Sequence, residues 1–265
     1  MKNVLVLIHD DDGQEARLQG ALDITRAIEG HLICLDVVKL PVVADVYFEE
    51  CFTALLDDAK AREARNRERL EARLVHEDVQ WEFRTVVDQV PEALVASARM
   101  ADVIVVNRRL DDVLNPDLRP LASKLVIRSS KPIVAMPRAC SGFNAGGRAT
   151  VAWDGSLPAM AAMSAAVPLL RIASDVQLLE VGADTSGDPI EDAALYLSRH
   201  GIHAGICRVE GKAEPSSLIL QALTDNHSSY CVMGAFGHSR LRETLFGGVT
   251  WNLLSTIEIP LFIAH

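Results

Sequence analysis

The chain has 265 residues, 49% of them hydrophobic, and a formal net charge of −10. An acidic protein repels a phosphate backbone, which excludes nucleic acid as a partner, and no run of 18 apolar residues exists to cross a membrane. Five cysteines (Cys34, Cys51, Cys140, Cys207 and Cys231), odd in number and never spaced Cys-x-x-Cys, argue against a disulfide framework or a structural zinc site and for reduced thiols.

In chain order, the first element is a strand over 4–8. It meets Asp10, Asp11 and Asp12 at once and is too short for a secretory signal, so a cytoplasmic protein is expected. A helix over 14–29 follows, with Leu18, Ala21, Leu22 and Ile28 on one stripe, and then a strand over 32–38. Residues 59–74 read as a long charged helix whose run 60–69 is a solvated face carrying i,i+4 pairs. A strand over 79–87, a helix over 91–100, a strand over 102–106 and, after Pro132, a strand over 133–136 complete the first series. The glycines of 139–148 and its lack of periodicity mark a flexible linker.

The series then returns. A strand over 149–153 ends at Asp154, Ser156 is placed as a helix N-cap, and Pro158 suits the first turn. The helix runs to about residue 173 with a kink at Pro168, and a strand over 176–181 follows. The same 27-residue spacing separates Asp10 from Val37 and Asp154 from Val181. Next come a short helical segment within 188–200, a strand over 206–209, a helix over 215–225, a strand over 230–233 and, after Pro260, a strand over 261–264. Apolar strands without alternation fit a parallel sheet covered by helices on both faces. The chain therefore divides into two α/β units, 1–138 and 149–265, joined by 139–148.

The stretch 231–250 carries the chemistry. A buried strand runs into Gly234, Ala235, Phe236 and Gly237, and nine residues later Gly247 and Gly248 open a helix. Glycines let the backbone approach a ligand, and free amides at a helix N-terminus hold phosphate. Neither the Walker loop nor the dinucleotide fingerprint is present. This pattern resembles the nucleotide-binding members of the universal stress protein family, which carry G-x-x-G, nine residues, then G-[ST]. The resemblance covers the chain twice, once per half. It implies two tandem, doubly wound, five-stranded parallel-sheet domains of the adenine nucleotide alpha hydrolase-like kind, packed as a pseudo-dimer through their last strands, 133–136 and 261–264.

Position by position, the resemblance implies a site for ATP or a related adenine nucleotide, with or without magnesium, in the second half. Asp154 matches the acidic residue near the adenosine, and Val181 the residue whose main chain meets the adenine. Gly234, Gly237 and Gly247 match the loop around ribose and phosphates; Gly248, Val249 and Thr250 follow in register, with Thr250 offering a hydroxyl. Gly248 departs from the pattern, because the family has Ser or Thr there. Trp153, beside Asp154, either stacks on a base or fills its pocket. In the first half the matching stretch 105–120 has no glycine, Pro116 and Pro120 remove amide donors, and Arg119 stands where the last motif glycine would fall. That half reads as a degenerate site.

No catalytic or metal-binding residues are assigned. His200 and His203 read as a helix end, His238, Arg240, Arg108 and Arg109 as surface, and Glu180 as a satisfied carboxylate at the pocket edge. The reading that follows is a cytosolic stress-response protein that holds a nucleotide and alters contacts with a protein partner. Two alternatives stand beside it: a nucleotide-free interaction or chaperone-like protein with both pockets empty, and a slow ATPase. Further pairing into a homodimer is left open.

Overall fold

A computed structural model describes residues 1–38, 49–110, 120–182, 187–236 and 248–265. The first half runs β1 (Asn3–Ile8), α1 (Gln14–Ala27), β2 (His31–Val38), α2 (Glu49–Leu74), β3 (Gln80–Val87), α3 (Val90–Ser97), β4 (Val103–Asn107), α4 (Leu121–Ser129) and β5 (Ile133–Met136). The second runs β6 (Arg148–Trp153), α5 (Leu157–Leu170), β7 (Asp175–Val181), α6 (Ile190–Arg199), β8 (Ala204–Val209), α7 (Pro215–Asp225), β9 (Tyr230–Gly234), α8 (Val249–Thr256) and β10 (Leu261–Ala264).

The ten strands among the described residues form one sheet in the order β3-β2-β1-β4-β5-β10-β9-β6-β7-β8. Pairing within each half is parallel, and the halves meet at one antiparallel junction, where Phe262 lies opposite Val134 and Ile263 opposite Ile133. The last strands are therefore the seam, as expected. The inner strands are buried on both faces: Val4, Val6 and Ile8 enter one core, and Leu5 and Leu7 the other. The edge strands β3 and β8 are largely half-buried or exposed.

Several boundaries differ from expectation. Helix α2 begins at Glu49, ten residues early, because no glycine or proline interrupts 49–74. Ser156 does cap α5, its hydroxyl accepting the Ala159 N–H at 3.2 Å. The helix stops at Leu170, only two residues past Pro168, so the proline occupies the last turn rather than dividing a longer helix. Segment 139–148 is docked rather than loose. Phe143 is buried, its ring 4.8 Å from that of Tyr230, and its N–H donates to Asp23 at 2.9 Å.

The strand register also corrects the match between the halves. Val4 lies opposite Val103, and Ala149 lies opposite Tyr230. The residue after each first strand is therefore His9 in one half and Asp154 in the other, and Asn107 takes the place of Gly234. Equal spacing had paired Asp10 with Asp154. The slip arises in the strand–helix turn, which spans 9–13 in the first half but only 154–156 in the second.

Candidate functional site

The carboxyl ends of β6, β7 and β9 open onto a cavity of about 380 Å³. Open α/β sheets place their ligands at this end, and the volume lies within the range of small-molecule sites. Alternation along the strands sends Ala152, Leu179, Val181 and Met233 toward the α7–α8 side, where they form an apolar floor. Pro215, Ser216 and Ile219 of α7 make one wall, and Val249, Thr250 and Asn252 of α8 the other. Six of the eight residues chosen from the sequence line this one space: Asp154, Val181, Gly234, Gly248, Val249 and Thr250. Gly237 and Gly247 lie outside the described residues, as do His238 and Arg240.

Trp153 does not fill the cavity. Trp153 borders the cavity, but its position on β6 turns the ring to the opposite face, into the core that also holds Val151, Ala159 and Ile190. Its indole N–H donates to the Asp188 carbonyl at 2.9 Å, which fixes the ring there. Asp154 closes a local turn, accepting the Ser156 N–H at 3.0 Å. The next residue, Gly155, has φ +69, and a side chain there would strike the backbone of Gly187 and Asp188. This glycine–glycine crossing packs the turn after β6 against the start of the segment leading to α6, and glycine content alone gave no sign of it.

The two described motif glycines serve different ends. A Cβ on Gly234 would fall on the backbone of Pro158 and Ala159, so Gly234 lets α5 start hard against β9. Gly248 has φ −115 and nothing within 4 Å of where a Cβ would stand. It is the N-cap of α8 and supplies no side-chain cap, which leaves the Val249 and Thr250 amides uncapped on residues that line the cavity. Thr250 is buried, and its Oγ accepts the Phe236 N–H at 3.4 Å, tying the end of the glycine stretch to α8. Phe236 sits at φ +60, a left-handed conformation uncommon for a side-chain-bearing residue.

Among the lining residues that the sequence reading did not choose are Glu214, Ser216, Phe236 and Asn252. Pro215 marked the start of α7, but only the chain path shows that this start faces the cavity. Asn252 Nδ2 donates to Ser216 Oγ at 3.4 Å and bridges α8 to α7. Glu180 points to the other face, where Arg208 Nε donates to it at 2.8 Å. His200 caps the end of α6 and packs on Tyr196, 4.7 Å between ring centroids.

On the other face of the sheet, where α1 meets the ends of β1 and β4, the first half builds a network of its own side chains. Arg17 is fully buried, and its Nε donates to the Leu7 carbonyl at 2.6 Å. Its Nη2 donates to the His9 carbonyl at 2.9 Å and to Asp11 at 3.0 Å, while Nη1 donates to Asn107. Burial pulls this guanidinium below the usual arginine range, and Asp11 pushes it back up. The Asn107 side chain lies over Gly13, where a Cβ would come within 2.7 Å of it. The halves thus solve one contact in opposite ways: glycine on the helix side in the first, glycine on the strand in the second. Pro116 and Arg119 lie outside the described residues.

No family model and no curated protein matches the chain. Solved structures do match. A universal stress protein from Archaeoglobus fulgidus DSM 4304 aligns over 99% of this chain and 97% of its own, with TM-score 0.77 and 14% identity. A protein of Pseudomonas aeruginosa UCBPP-PA14 assigned to the universal stress proteins aligns over 99% and 92%, with TM-score 0.60 and 16% identity. At these identities the likeness is one of architecture: the chain has the fold of a tandem universal stress protein, two doubly wound α/β units joined in a single sheet.

Proposed function

We propose that the second half, residues 149–265, binds ATP or a related adenine nucleotide, and that the protein acts in stress response by ligand-dependent contact with a protein partner rather than by turnover. Residues 1–138 form a degenerate unit of the same kind, and 139–148 connect the two. One observation carries this reading: a cavity of about 380 Å³ at the carboxyl ends of parallel strands, with the amides at the start of α8 on one wall and an apolar floor beneath. The floor suits a planar base, and the amides suit an anionic group. Magnesium bound with the nucleotide would supply positive charge to its phosphates. Asp154 stands at the end of β6 as a carboxylate acceptor for a ribose hydroxyl or a base amine.

Calorimetric titration of the full chain with ATP, ADP, AMP and adenosine tests this. Saturable binding at one site per chain is expected. Gly248→Ser should tighten the phosphate-bearing ligands about ten-fold or more, since a hydrogen bond to a charged group contributes roughly 1.5–3 kcal/mol. The open space at Gly248 admits the side chain. Absence of binding by every adenine compound would refute the reading and leave a nucleotide-free interaction protein.

A further inference from the structure

The cavity holds a charged group that the nucleotide reading does not use. Among the described lining residues the ionisable side chains are Asp154 and Glu214, both carboxylates. Asp154 is engaged in its turn with Ser156. Glu214 stands across the cavity at the N-cap of α7, exposed and making no side-chain cap hydrogen bond. Pro215, the next residue, has no N–H to offer it. Ser216, one residue further, is buried, and its Oγ accepts from Asn252 rather than capping with Glu214. Glu214 therefore brings an uncommitted negative charge to the α7 side of the cavity, whose other side carries the start of α8. A ligand anion held by the α8 amides lies in the field of this carboxylate, and each added phosphate increases the repulsion.

We propose that Glu214 is a specificity-determining residue that sets how many phosphates the cavity accepts, favouring adenosine and AMP over ATP. The proposal rests on the adenine-nucleotide reading above. Its physical content is a penalty that scales with ligand charge, leaves a neutral nucleoside untouched and weakens in salt. Glutamine keeps the shape of Glu214 and removes the charge.

The test uses the full chain without divalent cations and titrates adenosine, AMP and ATP into wild type, Glu214→Gln and Glu214→Lys at low salt and in 0.5 M NaCl. At low salt, Glu214→Gln should raise ATP affinity about five-fold, AMP affinity less, and leave adenosine within two-fold; this is the scale of one unit charge acting through partly solvated space. Glu214→Lys should raise ATP affinity further. In 0.5 M NaCl the differences should shrink toward unity. If adenosine and ATP bind but their affinity ratio is unchanged in both variants, Glu214 has no such role while the nucleotide reading stands. If no adenine compound binds wild type, both fall together.

Discussion

Gly234 and Gly248 stand in one motif, yet their surroundings assign them separate tasks. Gly234 is a packing residue: the backbone of α5 occupies the space a methyl group would need. Gly248 is a surface of the cavity, with ordinary backbone angles and open space beside it. Gly234→Ala should therefore destabilise the fold by about 1–3 kcal/mol, the usual cost of forcing extra atoms into a packed contact, and by more than Gly248→Ala, which should cost below about 1 kcal/mol, the difference between glycine and alanine at a helix N-cap. Urea unfolding of the two variants checks this, and equal effects would contradict the division of roles. The same surroundings explain what was legible beforehand. Asp154, Val181, Gly234 and Gly248 were legible as neighbours of one cavity because a motif fixes their spacing and strands end next to them. Glu214, Ser216 and Asn252 were not, because they reach the cavity only through the chain path from β8 to α7 and the packing of α7 on α8. Trp153 could have pointed either way; only the register of β6 decides its face.

At the level of elements, α1 and α5 show how two related units diverge. Each helix begins beside the end of a central strand, at Asn107 in one half and Gly234 in the other. Helix α5 starts within a three-residue turn and leaves a cavity on the far side of the sheet. Helix α1 starts after a longer acidic turn, and Arg17 reaches back to bind β1, the turn and β4 together. Arg17→Met should cost about 3 kcal/mol or more, because it leaves Asp11, Asn107 and two carbonyls without their shared donor in a dry place. Guanidinium denaturation measures the loss, and a variant as stable as wild type would show the network to be dispensable. Element types and order were readable from periodicity, whereas lengths were less so. The start of α2 carries no cap or breaker in its sequence, and the longer turn of the first half displaced the apparent match by one residue.

At the scale of the molecule, the halves share more than a seam. Each of the two cores on the faces of the sheet contains residues from both halves, and Phe143 of the connecting segment is buried against Tyr230. Arg108, just past β4, donates to the Leu254 carbonyl of α8 at 3.1 Å. Residues 149–265 alone would expose β10 as an unpaired, apolar edge. The isolated half should therefore form a dimer through β10 with its own copy, measured by sedimentation equilibrium as twice the mass of one half; a stable monomer at micromolar concentration would argue against this.

The antiparallel junction of β5 with β10 has a further consequence. Because both strands belong to one polypeptide, each copy finds its counterpart tethered nearby, and dilution does not part them. Two separate, identical subunits would have to change together at every position. Fusion removes that constraint, so the two members of the couple are free to diverge: one ties the start of α1 to the sheet with Arg17 and Asn107, while the other keeps an open chamber beside α7 and α8.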